Sequence, residues 1–527
     1  MAAPTTPAQP TTLLQFDTDA PRYKWLVAGI VLIAAATQTF AGNSVNLAIP
    51  RLMAAFGTNL ATAQWVATGF LITRTLVIPI LGWLGGFLGN RNLFVACLTG
   101  FVLASIGCGL ATNLPMLIGF RLLQGMMVGP MEGLAAVLLV QAFPPYQRGL
   151  ALGLRALGSS MGHVVSFTLG GYMLEHLSWR LIFFLGVPSG IAAATLGLLV
   201  LPQRREYQGM PIDYPGLLLL AGFLVPLLLV INFGRNNETA RSTLILLSLA
   251  AVGGGGLFVV RELLAAHPAV NLRLFRIPAF CMVCSSAFLN NVGLFGAQLM
   301  VPIFLQQVMG YTPLQASLLI VPAIIASGLS GVLTGRLSDL VHPALVTLGA
   351  SIVLVGVFYI FSTVTPLTAA GVLVVYIACY RMCMFATNTP LVTLNARILG
   401  TERIRMGQGL MGVTRNIGSS IGVTITSVIF ERQRVAHQLM GYAQYDHTSP
   451  AHADLLHSIT HTLHQAGMVG SAADQVALRS IQRQMDIEAT AAGFRDSFLF
   501  IGVCFLLSGL PMLWSYVQRH RIPPTTP

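Results

Sequence analysis

Long apolar runs alternate with short polar breaks along nearly the whole chain. A helix crossing the hydrocarbon of a bilayer needs ~20 consecutive apolar residues. Runs of that kind begin near Trp25, Gln64, Leu93, Met116, Leu150, Leu181, Tyr214, Thr243, Ala279, Leu314, Leu345, Ala369, Gly407 and Phe494. The pattern predicts an all-α polytopic membrane protein with about fourteen transmembrane helices. Between the last two runs lies a polar stretch, 431–492, with two helical patterns near 454–468 and 473–491.

Composition supports the same class. Hydrophobic residues make up 55% of the chain and charged ones only 9%, against about 25% charged in soluble domains. The net charge of +12 is almost wholly arginine, since Lys24 is the only lysine. These arginines punctuate apolar segments singly or in small groups. A nucleic-acid protein would gather them on one soluble face. Basic residues concentrate in alternate loops: Arg91, Arg148, Arg204 with Arg205, Arg273 with Arg276, Arg336, then Arg397, Arg403 and Arg405, and finally Arg519 and Arg521. By the positive-inside rule these loops and both termini are cytoplasmic, and the stretch 431–492 is outside. The Pro/Thr-rich start, 1–22, reads as a disordered cytoplasmic tail without a signal-peptide core.

One short pattern occurs twice. Arg155-Ala-Leu-Gly158-Ser159-Ser160-Met161-Gly162 opens the fifth run and Arg415-Asn-Ile-Gly418-Ser419-Ser420-Ile421-Gly422 the thirteenth. Both read R-x-x-G-S-S-M/I-G. A weaker echo pairs Gly82-Trp-Leu-Gly-Gly86 with Gly335-Arg-Leu-Ser-Asp339. The repeat implies two six-helix halves, 23–202 and 265–518, separated by two extra helices in 203–264 and followed by a short cytoplasmic tail, 519–527. Parallel repeats of this kind place a binding site at their interface. Small residues also recur in membrane helices simply to allow close packing.

An ordered set of motifs resembles a known family. Gly82-Trp-Leu-Gly-Gly-Phe-Leu-Gly89-Asn-Arg91 is similar to the G-x-L-x-D-x-x-G-R loop after the second span of major facilitator proteins. Arg121-Leu-Leu-Gln124-Gly125 matches R-x-x-Q-G in the fourth span. Phe143-Pro-Pro-Tyr-Gln-Arg148-Gly, Gly170-Gly171-Tyr172, Trp179-Arg180 and Gly310-Tyr311-Thr312-Pro313 continue the likeness. The whole chain resembles the fourteen-span drug:proton antiporters of the major facilitator superfamily, the EmrB/QacA-like group of multidrug efflux transporters. That resemblance implies the major facilitator fold, residence in a bacterial inner membrane, small-molecule cargo exchanged for protons, and a periplasmic membrane-fusion adaptor with an outer-membrane channel as partners. Gly82, Gly89, Arg91, Gln124, Gly125, Gly170, Gly171 and Asp339 stand at its motif positions. Three positions depart from the pattern. The acid of the first span is Ala41, the first loop acid is Gly86, and G-P-x-x-G-G begins Ser166-Phe167.

Ionisable groups inside a membrane are costly and therefore functional candidates. By position they are Arg74, Arg121, Glu132, Arg155, His163, Arg381 and Arg415. Glu132 is the one acid deep within a span. Arg121 and Glu132 lie eleven residues apart, three turns along one helix face. Depth counting sets Glu132 level with Arg155, a possible ion pair. Proton coupling is assigned to Glu132, Arg121 and His163, taking over from the vacated position at Ala41; a permanent structural salt bridge is the competing reading. Cargo binding is assigned to Arg74, Arg155, Arg381, Arg415, Asn43 and Asn46. One glutamate among several arginines favours an anionic or carboxylate-bearing cargo, because guanidinium forks match carboxylates. Broad amphiphilic drugs are the alternative.

The remaining candidates carry less. Asn290, Asn291, Gln298 and Asn388 suit either a wet cavity or interhelical hydrogen bonds. Cys281 and Cys284 have CxxC spacing, yet all seven cysteines sit in apolar runs as packing residues do. His457, His461 and His464 share a helix face in the outer loop without a completing acid or cysteine. The chain has no metal motif, phosphate loop or nucleophile–base pair, so neither an enzyme nor a cofactor is expected. An uncoupled facilitator or importer of organic anions is the nearest rival to an exporter.

Overall fold

Proline and glycine set the ends of the helices. The computed structural model describes residues 22–58, 60–203, 213–233, 241–265, 271–365, 368–444 and 471–521, with a few single positions between 458 and 465. Among the described residues all regular structure is helical. The long helices are α1 (Tyr23–Phe56), α2 (Trp65–Val77), α3 (Asn90–Gly109), α4 (Leu114–Ala142), α5 (Arg148–His176), α6 (Val187–Val200), α7 (Tyr214–Phe233), α8 (Arg241–Leu264), α9 (Pro278–Gln307), α10 (Pro313–Leu340), α11 (Pro343–Ser362), α12 (Ala370–Gly400), α13 (401–444) and α14 (Ser471–Arg521). Asn113 caps α4 by accepting from the Met116 N–H, and Thr312 with Gln315 closes a capping box on α10. Such caps satisfy N–H groups that the helix itself leaves without a partner. Gly400 separates α12 from α13 with φ 64° and ψ −170°, a conformation that only glycine adopts freely.

Among the described residues, ten helices are long and apolar enough to cross a membrane, against the fourteen expected. The other four are α2, α5, α7 and α13. The apolar stretches of α2 and α7 are short. In α5 and α13, arginine, serine and glycine interrupt the apolar run. The last two helices also extend further than the sequence pattern implied. Helix α13 continues to Gln444 and α14 starts at Ser471, so much of the expected outer loop is helical extension. There the rings of Phe430 and Phe494 lie 4.4 Å apart and tilted, and His437 Nε2 lies 3.0 Å from Asp496. Gln438 and Tyr442 both donate to Asp486.

The repeated motif explains how the two halves are built. A Cβ on Gly158 would fall 2.9 Å from Leu32 Cα, and one on Gly162 would fall 2.7 Å from the Ala36 carbonyl; both targets are the backbone of α1. In the second copy a Cβ on Gly418 would meet the Phe288 carbonyl at 2.6 Å, and one on Gly422 would meet Val292 Cα at 2.8 Å, both on α9. Only glycine permits these approaches, as in other small-residue membrane interfaces. Ser159 donates back to the Arg155 carbonyl and Ser419 to that of Arg415. The α1–α5 and α9–α13 pairs are therefore two copies of one packing unit.

The halves meet along two seams. On one, Gly149 and Gly153 of α5 lie against the backbone of Gly335 and Gly331 of α10, and Ser160 meets Ser327 at 3.4 Å. On the other, Gly409 and Gly412 of α13 pack on the 3-10 turn Ile78–Ile80 that follows α2. Asp339 locks the first seam, accepting from the N–H groups of Gly149 (2.7 Å) and Leu150 (2.9 Å) at the start of α5. A carboxylate at a helix N-terminus is stabilised by the helix dipole. At the pseudo-equivalent position, Gly86 has no acid, and the Arg405 side chain lies beside Gly85 and Gly86 instead. Helix α7 packs against α2 and α13, with Thr424 donating to the Ile231 carbonyl. Helix α8 lies outermost, with Leu246, Leu249 and Val252 exposed.

Candidate functional site

Two glycines bring the site's ion pair together. Gly125 and Gly129 on α4 lie against the backbone of Phe70 and Arg74, and no side chain would fit at either. This draws α2 onto α4, where Thr73 donates to the Leu122 carbonyl. One turn beyond Gly129, Arg74 Nη2 donates to Glu132 Oε2 at 2.7 Å. Depth counting pointed to Arg155 as the partner of Glu132, and this is corrected: the hydrogen-bonded partner is Arg74. The reason is that glycine packing, not depth, decides which neighbouring helix comes closest.

Arg155 and Arg415 nevertheless belong to the same centre. A small pocket is lined by Ile78, Glu132, Gly133, Ala136, Arg155, Gln408, Met411, Gly412 and Arg415. A second, larger pocket is lined by Leu152, Arg155, Ala156, Ser159, Met384, Phe385, Asn388, Thr389, Val392 and Arg415. The two arginines of the repeated motif thus border both cavities, one from each half. Arg74, Arg155 and Arg415 all act electrostatically on Glu132. Three guanidiniums face one carboxylate, so two positive charges are left over. The Nε atoms of Arg155 and Arg415 are buried without a hydrogen-bond partner among the described residues.

Other predicted residues fall elsewhere. Arg121 is fully buried, hydrogen-bonded to the Val66 carbonyl and to Gln124, with its guanidinium 4.3 Å from the Phe70 ring centroid. Gln124 donates to Ser105. This arginine holds α4 to α2, and three turns of helix keep it from Glu132. His163 places Nδ1 2.9 Å from the Ser159 carbonyl on its own helix and is not part of the Glu132 centre. Arg381 is 6% exposed on α12, outside both cavities' linings but one turn from Met384 and Phe385. Asn388 lines the second cavity, whereas Asn290 and Asn291 are buried in α9. The backbones of Asn43 and Asn46 are helical, but their side chains lie outside the described residues, as do those of Ala41 and Phe167. His457 and His464 also lie outside them. Gly89, with φ 78°, turns the chain from the short helix containing Gly82 into α3, where Arg91 is buried. Gly170 is buried, while Gly171 has open space around it.

Sequence reasoning missed Gln408, Met384 and Phe385. Gln408 sits seven residues before Arg415, two turns along one helix face. That spacing was a usable signal. Nothing local marked Met384 or Phe385, since either residue suits a lipid-facing helix equally well.

The comparisons agree with this architecture. The Major Facilitator Superfamily family model matches residues 31–423. The multidrug export protein EmrB of Escherichia coli K12 is 30% identical over 424 residues, covering 78% of this chain and 81% of EmrB. The fatty acid resistance protein FarB of Neisseria gonorrhoeae is 28% identical over 481 residues, covering 89% of this chain and 91% of FarB. The crystal structure of the human organic anion transporter MFSD10 superposes with a TM-score of 0.59 at 12% identity, covering 94% of this chain and all of that one, which is a likeness of fold. A family match over most of the length, joined to two copies of one helix-packing unit around a central cavity, establishes that the chain belongs to the major facilitator superfamily of membrane transporters.

Proposed function

We propose that this transporter is an inner-membrane exporter of carboxylate-bearing amphiphiles, driven by proton antiport through Glu132. In this reading all fourteen long helices cross the membrane, and both termini are cytoplasmic. The observation that carries it is the convergence of Arg74, Arg155 and Arg415 on a single glutamate at the interface of the halves. Uncompensated charges deep in a membrane protein are expensive. A cargo carboxylate reaching Arg155 and Arg415 offsets that cost, and two guanidinium forks supply directional contacts. The cavities' Met384, Phe385, Val392 and Met411 suit an apolar tail. The name of FarB, a relative over nearly its whole length, points to fatty acids, which are amphiphilic carboxylates.

Coupling follows from the same charges. Proton binding to Glu132 removes the one negative charge and frees Arg74, which changes the balance between the states of the carrier. The seams closed by Gly149 with Gly335 and by Gly409 with Ile78 lie at the arginine-rich ends of the helices. With those ends cytoplasmic, this conformation is the one facing outward, poised to release cargo and take up a proton. The sequence's resemblance to EmrB-like pumps implies an adaptor as partner, and we assign the paired extensions of α13 and α14 as the surface for it.

The test uses proteoliposomes with an imposed proton gradient and a panel of aliphatic acids and cationic dyes. Gradient-driven export of acids is expected, lost in both Arg155→Gln and Arg415→Gln while any dye export is spared. Equal loss of acids and dyes contradicts the anionic-cargo reading. The second reading, an uncoupled facilitator, draws on the direct Arg74–Glu132 bridge and on the missing acids at Ala41 and Gly86. Equilibration of acids regardless of gradient, unchanged in Glu132→Gln, decides in its favour.

A further inference from the structure

Arg381 is a candidate cation that lies outside the linings of both pockets. It is 6% exposed, and its Nε is buried with no hydrogen-bond partner among the described residues. The guanidinium sits 5.6 Å from the Tyr380 ring centroid and acts electrostatically on His163 of α5. The chain offers no acid deep in any span besides Glu132, which Arg74 already engages. Arg381 is thus an enclosed guanidinium without a carboxylate.

Its place in the fold shows what it serves. The second cavity lies between the α5 face carrying Arg155 and Ser159 and the α12 face carrying Met384, Phe385 and Asn388. His163 follows Ser159 by four residues and Arg381 precedes Phe385 by four, so each extends its own face by one turn. The two helices run in opposite senses, and both extensions therefore lie at the same end of the cavity, the end away from the Gly149–Gly335 seam. Arg155 and His163 are eight residues apart, about 12 Å along the helix axis. The wall between is largely apolar, formed by Ala156, Met384 and Phe385.

We propose that Arg381, with His163 on the facing helix, forms a second carboxylate-binding site one helical turn beyond the outer end of this pocket, one that a long-chain dicarboxylate spans together with the Arg155–Arg415 site when the pocket opens. The proposal rests on the carboxylate-cargo reading above. For a monocarboxylate, the outer site is the station to which the head group passes on its way out. For an α,ω-diacid whose chain matches the separation, both sites fill at once.

The test compares decanoate with decanedioate on the purified full-length protein by isothermal titration calorimetry. Decanedioate is expected to bind about tenfold more tightly than decanoate, the order of one added charge-assisted contact. In Arg381→Gln that advantage disappears while decanoate binding persists, which also shows that the variant is folded. Equal affinity of the two acids for the unaltered protein overturns the second site. So does an advantage that survives Arg381→Gln, or the loss of both acids in that variant. If the unaltered protein binds neither acid, the cargo reading itself fails, and the second site falls with it.

Discussion

Arg74 and Glu132 meet across the α2–α4 interface at 2.7 Å, 58 residues apart in the chain, because Gly125 and Gly129 leave room for the backbone of α2. The side chains are 25% and 17% exposed, so removing one partner should cost less than the ~3–5 kcal/mol typical of a fully buried pair. Glu132→Gln should therefore lower thermal stability in detergent more than Arg74→Gln does, as it leaves three guanidiniums without a counter-charge. The double variant Arg74→Gln/Glu132→Gln should recover part of the loss. A double variant no better than Glu132→Gln alone would show that the bridge contributes nothing to folding.

The glycines of the repeated motif yield a second prediction. Gly162→Val places a methyl-bearing carbon where a Cβ already falls 2.7 Å from the Ala36 carbonyl. Overpacking of this kind costs about 1–3 kcal/mol or more, because backbone must shift. Gly422→Val should behave the same way against Val292. Gly171→Ala, in open space, serves as the control and should leave the melting temperature unchanged. Thermal unfolding of the three variants, followed by size-exclusion fluorescence, checks this.

Asp339 ties the end of α10 to the first turn of α5 through two backbone N–H groups, with Arg397 3.8 Å from the same carboxylate. Replacing an N-capping acid typically costs about 0.5–2 kcal/mol, which corresponds to roughly 2- to 30-fold in an opening equilibrium. Asp339→Ala should raise amide hydrogen exchange at residues 149–153 by that factor. Exchange elsewhere in α5 should hold steady. An unaltered rate at the start of α5 would remove Asp339 from the role of seam lock.

Arg121 presents a different case. Its planar guanidinium reaches the Val66 carbonyl and Gln124 while lying over Phe70, a combination that lysine does not reproduce. Arg121→Lys should reduce folded yield. The protein that does fold should keep its preference among acids and dyes. A changed cargo preference measured by competition transport would return Arg121 to the binding site.

Much of this architecture was legible along the chain. The helix starts near Trp25, Leu181 and Tyr214 lie within a few residues of their observed positions, because prolines, glycines and charges cannot hide inside lipid-facing helices. The R-x-x-G-S-S repeat was legible too, and its two arginines do border one site. In the outer stretch the helical pattern near 473–491 was legible and belongs to α14, whereas its continuity with the last apolar run, and the run of α13 on to Gln444, were not, because polar helical extensions carry no hydropathy signal.

What the sequence determined by itself was the class of the molecule, its repeat and the inventory of charges within it. Apolar run length and arginine placement depend on the medium each residue must tolerate, and that requirement is local. Which charges meet was decided only by the tertiary structure. Glu132 pairs with Arg74 and not with Arg155, Arg121 is drawn into a helix interface, and Arg381 remains enclosed without an acid. Those outcomes depend on how closely two backbones approach, which a glycine on one helix and the partner it faces decide together. A single strand of text names the glycine but not what lies across from it.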